Sequence, residues 1–301
     1  MDTLPFAKPG HWYRGNLHTH STNSDGMKSP RDVCAHYRRR GYHFISLTDH
    51  FLAKYGFPVS DTTPYRSDRF TTVTGAELHA PATSLGDAWH ILAVGLPLDF
   101  TQTGADESGP QLAARAKAAG AYVAAAHPAW YDLTDADVLS LDAAGAIEIV
   151  NTTCTELNGK GDSSGYLDRL LSQGHYYHAI ATDDAHFKPA MPDWGKNWVM
   201  VRCGHLHPDA LVEALHAGSF YASQGPEILG VTPERGGKLS VRTSPVRAMR
   251  LTGRGSSASA VMGTADITAA ELDLARIAGP YARLTVFDGR GRRAWTNPFR
   301  V

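Results

Sequence analysis

The chain has 301 residues, 43% of them hydrophobic and 20% charged, with 29 glycines and 17 prolines. That is a loop-rich globular composition without the bias of disorder, long enough for one α/β barrel and a small additional unit. Lys plus Arg number 29 against 30 Asp plus Glu, so overall charge makes no case for nucleic-acid or membrane binding, and an anionic substrate must be attracted locally.

Met1 to His20 contain no basic stretch followed by an apolar core, and no apolar run reaches the ~18 residues of a membrane span, so a soluble cytoplasmic protein is expected. The three cysteines, Cys34, Cys154 and Cys203, are far apart and odd in number. They suit neither a disulfide framework nor a paired-cysteine zinc site and read as buried thiols.

The first punctuated element is a helix with Ser29 as N-cap, Pro30 at the first helical position and Gly41 as its stop. Buried strands follow at Phe44 to Thr48, Thr71–Leu78 and His90 to Val94. Next come helix Gln111–Ala119, strand Ala121–Ala126, strand Ala146–Val150, helix Gly165–Ser172, strand His178–Ala181, strand Trp198–Arg202 and helix Pro208–Ala217. Strands alternating with helices at this spacing predict a mostly parallel sheet of roughly seven units. After about Pro226 the texture changes to Gly, Ser and Arg with β-like runs at Lys238–Arg242, Ala248–Thr252 and Ala282–Phe287. We therefore divide the chain into a unit over 1–225 and a small β-rich unit over 226–301. Asp288 to Arg292 is a hairpin turn whose charges form a solvated face.

Histidine is the compositional anomaly, with 15 copies. Asn16-Leu17-His18-Thr19-His20-Ser21 places two imidazoles at period two, on one side of an extended segment, with Asp25 returning from a tight turn. Further candidates sit where strands end: His50 after Asp49, Glu77, His90 after Trp89, His127 before Pro128, and Asp184 and His186 in Asp183-Asp184-Ala185-His186. Carboxyl strand ends converge on one rim in parallel barrels, where sites are built. Mixed imidazole and carboxylate donors without thiolates suit Zn²⁺, Mn²⁺ or Fe²⁺.

These residues, over roughly Trp12 to His186, resemble the polymerase and histidinol phosphatase (PHP) family: His-x-His, a following Asp, Asp-His, Glu, His, His and a closing Asp-x-His. The resemblance implies a distorted (βα)7 barrel and a metal-dependent phosphoesterase with two or three divalent ions. By analogy His18, His20 and Asp184 hold one ion, Glu77 bridges to a second held by His90 and His127, and Asp25, His50 and His186 hold a third. A water so polarised would be the nucleophile. No Gly-x-Ser-x-Gly elbow or activated cysteine supports a covalent route.

His79, two residues after Glu77, is the rival ligand to His90. Asp49 and Asp183, at the opposite parity to their neighbours, are expected as hydrogen-bond partners of metal-bound histidines, with a capping carboxylate as the alternative for each. His36, His43, His175, His178, His205, His207 and His216 are expected in core or surface roles. Arg38 to Arg40 read as cations closing a helix. Candidate substrate contacts are Asn151 at a strand end, Lys188 and Lys196 in the loop after His186, and Arg66 and Arg69 in the loop after His50. The expected partner is a small phosphomonoester or phosphodiester. A carboxylic or carbamic ester on the same metals and a noncatalytic metal-binding module are the rival readings. Nucleic acid is disfavoured because no basic stripe adjoins the metal motifs. The sequence does not speak to oligomeric state.

Overall fold

A computed structural model describes residues 4–301. The elements in chain order are β1 (His11–Asn16), α1 (Pro30–Arg39), β2 (Phe44–Leu47), β3 (His50–Phe51), β4 (Thr71–Leu78), β5 (Ile91–Val94), α2 (Gly109–Ala118), β6 (Tyr122–Ala125), α3 (Asp135–Ser140), β7 (Ala146–Asn151), α4 (Thr152–Asn158), α5 (Ser164–Ser172), β8 (His178–Thr182), β9 (Trp198–Cys203), α6 (Pro208–His216) and β10 (Phe220–Ser223). Six further strands follow: β11 (Ile228–Glu234), β12 (Lys238–Thr252), β13 (Ala258–Asp273), β14 (Tyr281–Phe287), β15 (Arg293–Thr296) and β16 (Phe299–Arg300). Local chemistry sets the helix starts. The Ser29 side chain accepts from Asp32 N, and Ser108 with Gln111 and Thr134 with Asp137 close capping boxes. No helix among the described residues is long and apolar enough to cross a membrane.

The fold is mixed α/β, with six α-helices and a 16-stranded sheet among the described residues. Its main path runs β11-β12-β14-β15-β10-β9-β1-β2-β4-β5-β6-β7-β8. Two features depart from a regular (βα)7 barrel. The ladder is not closed, because β1 pairs antiparallel with β9 on its outer side. In addition, β5 runs antiparallel to both β4 and β6, where a barrel of repeated βα units would be parallel throughout. The residues just past β1 and β8 do meet. His20 N donates to Ala185 O at 2.9 Å and Asp184 N to His18 O at 2.8 Å, forming an isolated parallel bridge between Thr19 and Ala185. This contact brings the His-x-His segment against the Asp-x-His segment.

The strands after Pro226 continue the same sheet, because β15 pairs antiparallel with β10. The sequence breaks β12 into two runs; the structure has one strand with bulges between Arg242 and Ala248. Its core is separate, built on Leu239, Val241, Met249, Leu251, Leu284 and Val286. Arg283, only 4% exposed, makes a forked ion pair with Asp168 of α5 at 2.8 to 3.2 Å, tying this unit to the helical layer. The Asp288 turn joins β14 to β15, with Arg292 Nε on its own Asp288 Oδ2 at 2.7 Å.

Candidate metal centre

The nine candidate ligands come from strand ends and the turns that leave them, and they converge on one point. His18 and His20 follow β1 and are fully buried. His20 Nε2 lies 2.8 Å from Asp184 Oδ1, and His18 Nε2 lies 3.3 Å from the same oxygen. Glu77, near the end of β4, is 1% exposed and stands in the middle: its Oε1 is 2.7 Å from His90 Nδ1 and 3.2 Å from His127 Nε2, and its Oε2 is 2.5 Å from His50 Nδ1. Asp25 Oδ1 is 3.3 Å from His186 Nε2 and 3.4 Å from His50 Nε2. Gly26 allows the Asp25 turn to fold in, since a Cβ there would meet the His20 carbonyl at 2.6 Å. The donor atoms fall into overlapping groups, among them Glu77-His90-His127, His18-His20-Glu77, His18-His127-Asp184 and His20-Asp25-His50-His186. None of the seven histidines expected in core or surface roles enters a group.

His79 is also present. Its Nε2 lies 2.9 Å from His50 Nδ1 and 3.6 Å from Glu77 Oε2, while its Nδ1 reaches Trp89 O at 3.0 Å. His79 and His90 therefore both adjoin Glu77, where the sequence reading had set them as rivals.

Two of these residues hold strained backbone. His127 (φ 27°) and Asp184 (φ 54°) lie on the left-handed side, which side chains rarely adopt and which marks sites whose surroundings over-determine them. The hydrogen bonds that hold them are on hand. His127 N donates to Glu148 Oε2 at 2.8 Å, and Asp184 Oδ2 accepts from Asn151 Nδ2 at 3.1 Å.

Glu148 is the residue that sequence reasoning left without a role. Fully buried in β7, it accepts from His18 Nδ1 at 2.9 Å, from the His127 backbone, from Asn151 Nδ2 at 3.0 Å and from Thr182 Oγ1. The Glu148 carboxylate accepts from Nδ1, so that nitrogen keeps its proton and Nε2 is the one that would ligate; despite burial, Asp184, Glu148 and Glu77 hold the ring well above the usual imidazole range, so a metal would have to displace the Nε2 proton. A carboxylate inside the apolar run Ala146-Ile147-Glu148-Ile149-Val150 was the available signal.

Several expectations are corrected. Asp49 touches no histidine; it accepts from Ser21 N, Ser21 Oγ, Ser24 Oγ and Ser60 Oγ at 2.7 to 2.9 Å, bracing the turn that carries Asp25. Asp183 likewise serves a loop, accepting from Tyr37 Oη and from the backbone of Gly195, Lys196 and Asn197. Asn151 is buried and spends its amide on Glu148, Asp184 and the Cys154 backbone, so it does not line the cavity. Arg66 is turned to Thr72 Oγ1 at 3.1 Å, and Arg69 lines a different groove with Arg38, His43 and His205. Lys196 pairs with Glu156 at 2.5 Å. Of the five candidate substrate contacts, Lys188 alone lines the cavity above the cluster.

That cavity encloses about 180 Å³ and has Asp25, His50, Glu77, His90, His127, Asp184 and His186 on its floor, with Trp130, Cys154, Leu157 and Lys188 on its walls. Burial would raise the carboxyls of Glu77 and Asp184, yet both are held well below the usual range. For Glu77 the reversing charges are those of His50, His90 and His18, and for Asp184 they are led by His18. Burial lowers imidazoles in turn, taking His20 to about 3 with help from His186 and His50, and His90 to about 4. His186 goes up to about 9 because Asp25 and Asp184 outweigh its burial.

The donor set matches a divalent-metal site by its orphaned atoms. His18 Nε2, Asp25 Oδ1 and Glu77 Oε2 are buried without a hydrogen-bond partner, the first and last 3.7 Å apart and Asp25 Oδ1 set against His50 and His186. Buried polar atoms left unpaired are costly unless a cation or a polar ligand satisfies them. With imidazole and carboxylate donors and no thiolate, these residues suit Zn²⁺, Mn²⁺ or Fe²⁺.

Fold and site together define a mixed α/β protein with a histidine and carboxylate cluster arranged for divalent metal. Solved structures agree with the fold. One is a two-domain protein from Bacteroides vulgatus containing a predicted PHP-like metal-dependent phosphoesterase; it is 16% identical and aligns over 99% of this chain and 97% of its own, with a TM-score of 0.54. A candidate metal-dependent phosphoesterase from Bifidobacterium adolescentis (16% identity, 58% of this chain and 88% of its own, TM-score 0.44) and an amidohydrolase from Chromobacterium violaceum solved with sulfate and no metal (16%, 57% and 87%, 0.40) are more distant and add no weight. No protein-family model matches the sequence, and no curated protein matches it.

Proposed function

We propose that this chain is a metal-dependent hydrolase of the PHP type that cleaves a small phosphomonoester or phosphodiester. The observation that carries the reading is the convergence of His18, His20, Asp25, His50, Glu77, His90, His127, Asp184 and His186 on the floor of a cavity whose lining includes one cation, Lys188. Divalent ions held by these side chains would bring the pKa of a water molecule toward neutrality and offset negative charge developing on the ester. The protein's own share is positional. Glu148 holds the His18 imidazole in the tautomer that donates its Nε2 lone pair, and Asp49 holds the serine turn from which Asp25 projects. Lys188 draws an anionic group to the mouth, while Trp130 and Leu157 exclude water from one side. The narrow cavity and its single cation favour a small molecule over a nucleic-acid strand, which would need a basic track.

The test combines elemental analysis with hydrolysis of p-nitrophenyl phosphate, bis-p-nitrophenyl phosphate and p-nitrophenyl acetate, before and after chelation and in His18→Ala. Two or three equivalents of metal with chelator-sensitive phosphate-ester cleavage are expected. Selective acetate cleavage would transfer the site to carbonyl chemistry. Folded protein that binds no metal and stays inactive after reconstitution with Mn²⁺, Zn²⁺ or Fe²⁺ would overturn the reading.

A further inference from the structure

The cavity above the cluster has a neighbour. A second depression of about 440 Å³, lined by Leu85, Asp87, Ala88, Tyr131, Asp132 and Asn158, shares His90 and Trp130 with it. Trp130 is thus the partition between the two. It is fixed from below, its ring set edgewise to His90 at 5.5 Å and to His127 at 5.2 Å, and its backbone N–H donates to His127 O at 2.9 Å. A substrate seated over the candidate ligands that extends toward the outer depression passes this indole.

The two chambers differ in character. The inner one holds the imidazole and carboxylate donors and Lys188, and its open side is flanked by Leu157, 55% exposed. The outer one has no Lys or Arg in its lining, carries the exposed Leu85, and presents two carboxylates and an amide. Asp132 is balanced by Lys160 at 2.6 Å, which leaves Asp87 in no ion pair among the described residues. Trp130, Tyr131 and Leu85 give the outer chamber an apolar wall for a flat body. Asp87, Asp132 and Asn158 offer acceptor oxygens at its far edge, and Asp87, in no ion pair among the described residues, repels a second anion.

The geometry points to the outer chamber as a leaving-group subsite for a flat aromatic or heteroaromatic group, neutral or cationic and bearing hydrogen-bond donors, stacked on Trp130 while its ester lies over the cluster. This rests on the phosphoester reading and adds the class of group that is cleaved off. Trp130 is then a specificity residue, and Asp87 sets the charge preference.

Phosphonates, which have no scissile ester bond, separate binding from turnover. Benzylphosphonate, methylphosphonate, 4-aminobenzylphosphonate and 4-carboxybenzylphosphonate are titrated by calorimetry into Mn²⁺-reconstituted wild type, Trp130→Ala, Trp130→Phe and Asp87→Asn, with thermal unfolding recorded to confirm that each variant is folded. The wild type is expected to prefer benzyl over methyl by about tenfold, the scale of one aromatic stack. Trp130→Ala should lose most of that preference, its benzylphosphonate affinity falling further than its methylphosphonate affinity, and Trp130→Phe should retain part of it. The wild type should also favour the amino over the carboxy compound, and Asp87→Asn should narrow the gap. A benzyl preference that survives in Trp130→Ala, or its absence from the wild type while methylphosphonate binds, would refute the subsite and leave the phosphoester reading standing. If no phosphonate of either kind binds, the phosphoester reading fails and the subsite falls with it.

Discussion

Glu148→Gln tests whether the carboxylate beneath His18 governs metal affinity. The side chain keeps its shape and loses its charge. Both carboxylate oxygens are met by donors: Oε1 by His18 Nδ1 and Thr182 Oγ1, and Oε2 by the His127 N–H and Asn151 Nδ2. Glutamine has one acceptor oxygen, so in either orientation its NH₂ faces two donors. A hydrogen bond to a charged group is worth about 1.5 to 3 kcal/mol, and losing an outer partner of a metal-bound histidine costs about 10 to 100-fold in metal affinity. That range corresponds to about 1.4 to 2.7 kcal/mol, so one broken contact accounts for it. Competition against a chromophoric chelator reads the affinity, and circular dichroism of the metal-free protein confirms the fold. Glu148→Asp, which keeps the charge on a shorter stem, should recover part of the loss. A folded Glu148→Gln protein that binds metal within about threefold of wild type would refute the argument.

Metal binding should release protons. His186 is held up to about 9 by Asp25 and Asp184 despite its burial, and an imidazole must be neutral to ligate. Affinity should therefore climb between about pH 6.5 and 9, which calorimetry in buffers of different ionisation enthalpy detects; a flat profile would count against His186 as a ligand. The metal-free protein should behave in the opposite sense. A group raised in the folded state stabilises fully below its unfolded pKa of about 6.5 and loses that contribution as pH rises through about 9, so the unfolding midpoint should fall across this window. His20, lowered to about 3, is neutral in both states over the same range and does not oppose the trend. Asp183→Asn should loosen the loop that runs from Phe187 to Asn197, because the carboxylate accepts from Gly195, Lys196 and Asn197; faster tryptic cleavage after Lys196 checks this, and unchanged cleavage would contradict it. Arg283→Ala should cost about 1 to 2 kcal/mol and lower the unfolding midpoint by a few degrees, a buried-pair effect reduced because the Asp168 side chain is 39% exposed.

What the sequence made legible divides by the range of the forces involved. Helix starts at Ser29 and Pro208, the strand Thr71–Leu78 and the turn at Asp288 follow from caps, alternation and turn chemistry within a few residues, and all are present. The sequence gives no local signal for the antiparallel course of β5 or for the pairing of β1 with β9, because a short buried run reads the same in either direction and its partner is set by tertiary packing. β13 was missed for a related reason: mostly exposed along its length, it lacks the apolar alternation that would announce it.

The same division explains the site. The candidate donors were legible because each stands at a strand end or, for Asp25, in the turn after the His-x-His segment, in a fixed order, and order survives even where the sheet is not a closed barrel. The roles of their neighbours were not, since parity along a strand says which way a side chain points but not what it meets. Asp49 has the parity of a histidine partner and meets four serine donors. Glu148, more than a hundred residues from His18 in sequence, supplies the contact that Asp49 was expected to make. Its carboxylate also receives the backbone N–H of the strained His127, while Asn151, bonded to Glu148, reaches Asp184, the other strained residue of the cluster. One buried carboxylate on β7 thus links the tautomer of His18 to both left-handed positions, which makes β7, rather than the His-x-His segment alone, the element on which the geometry of the centre depends.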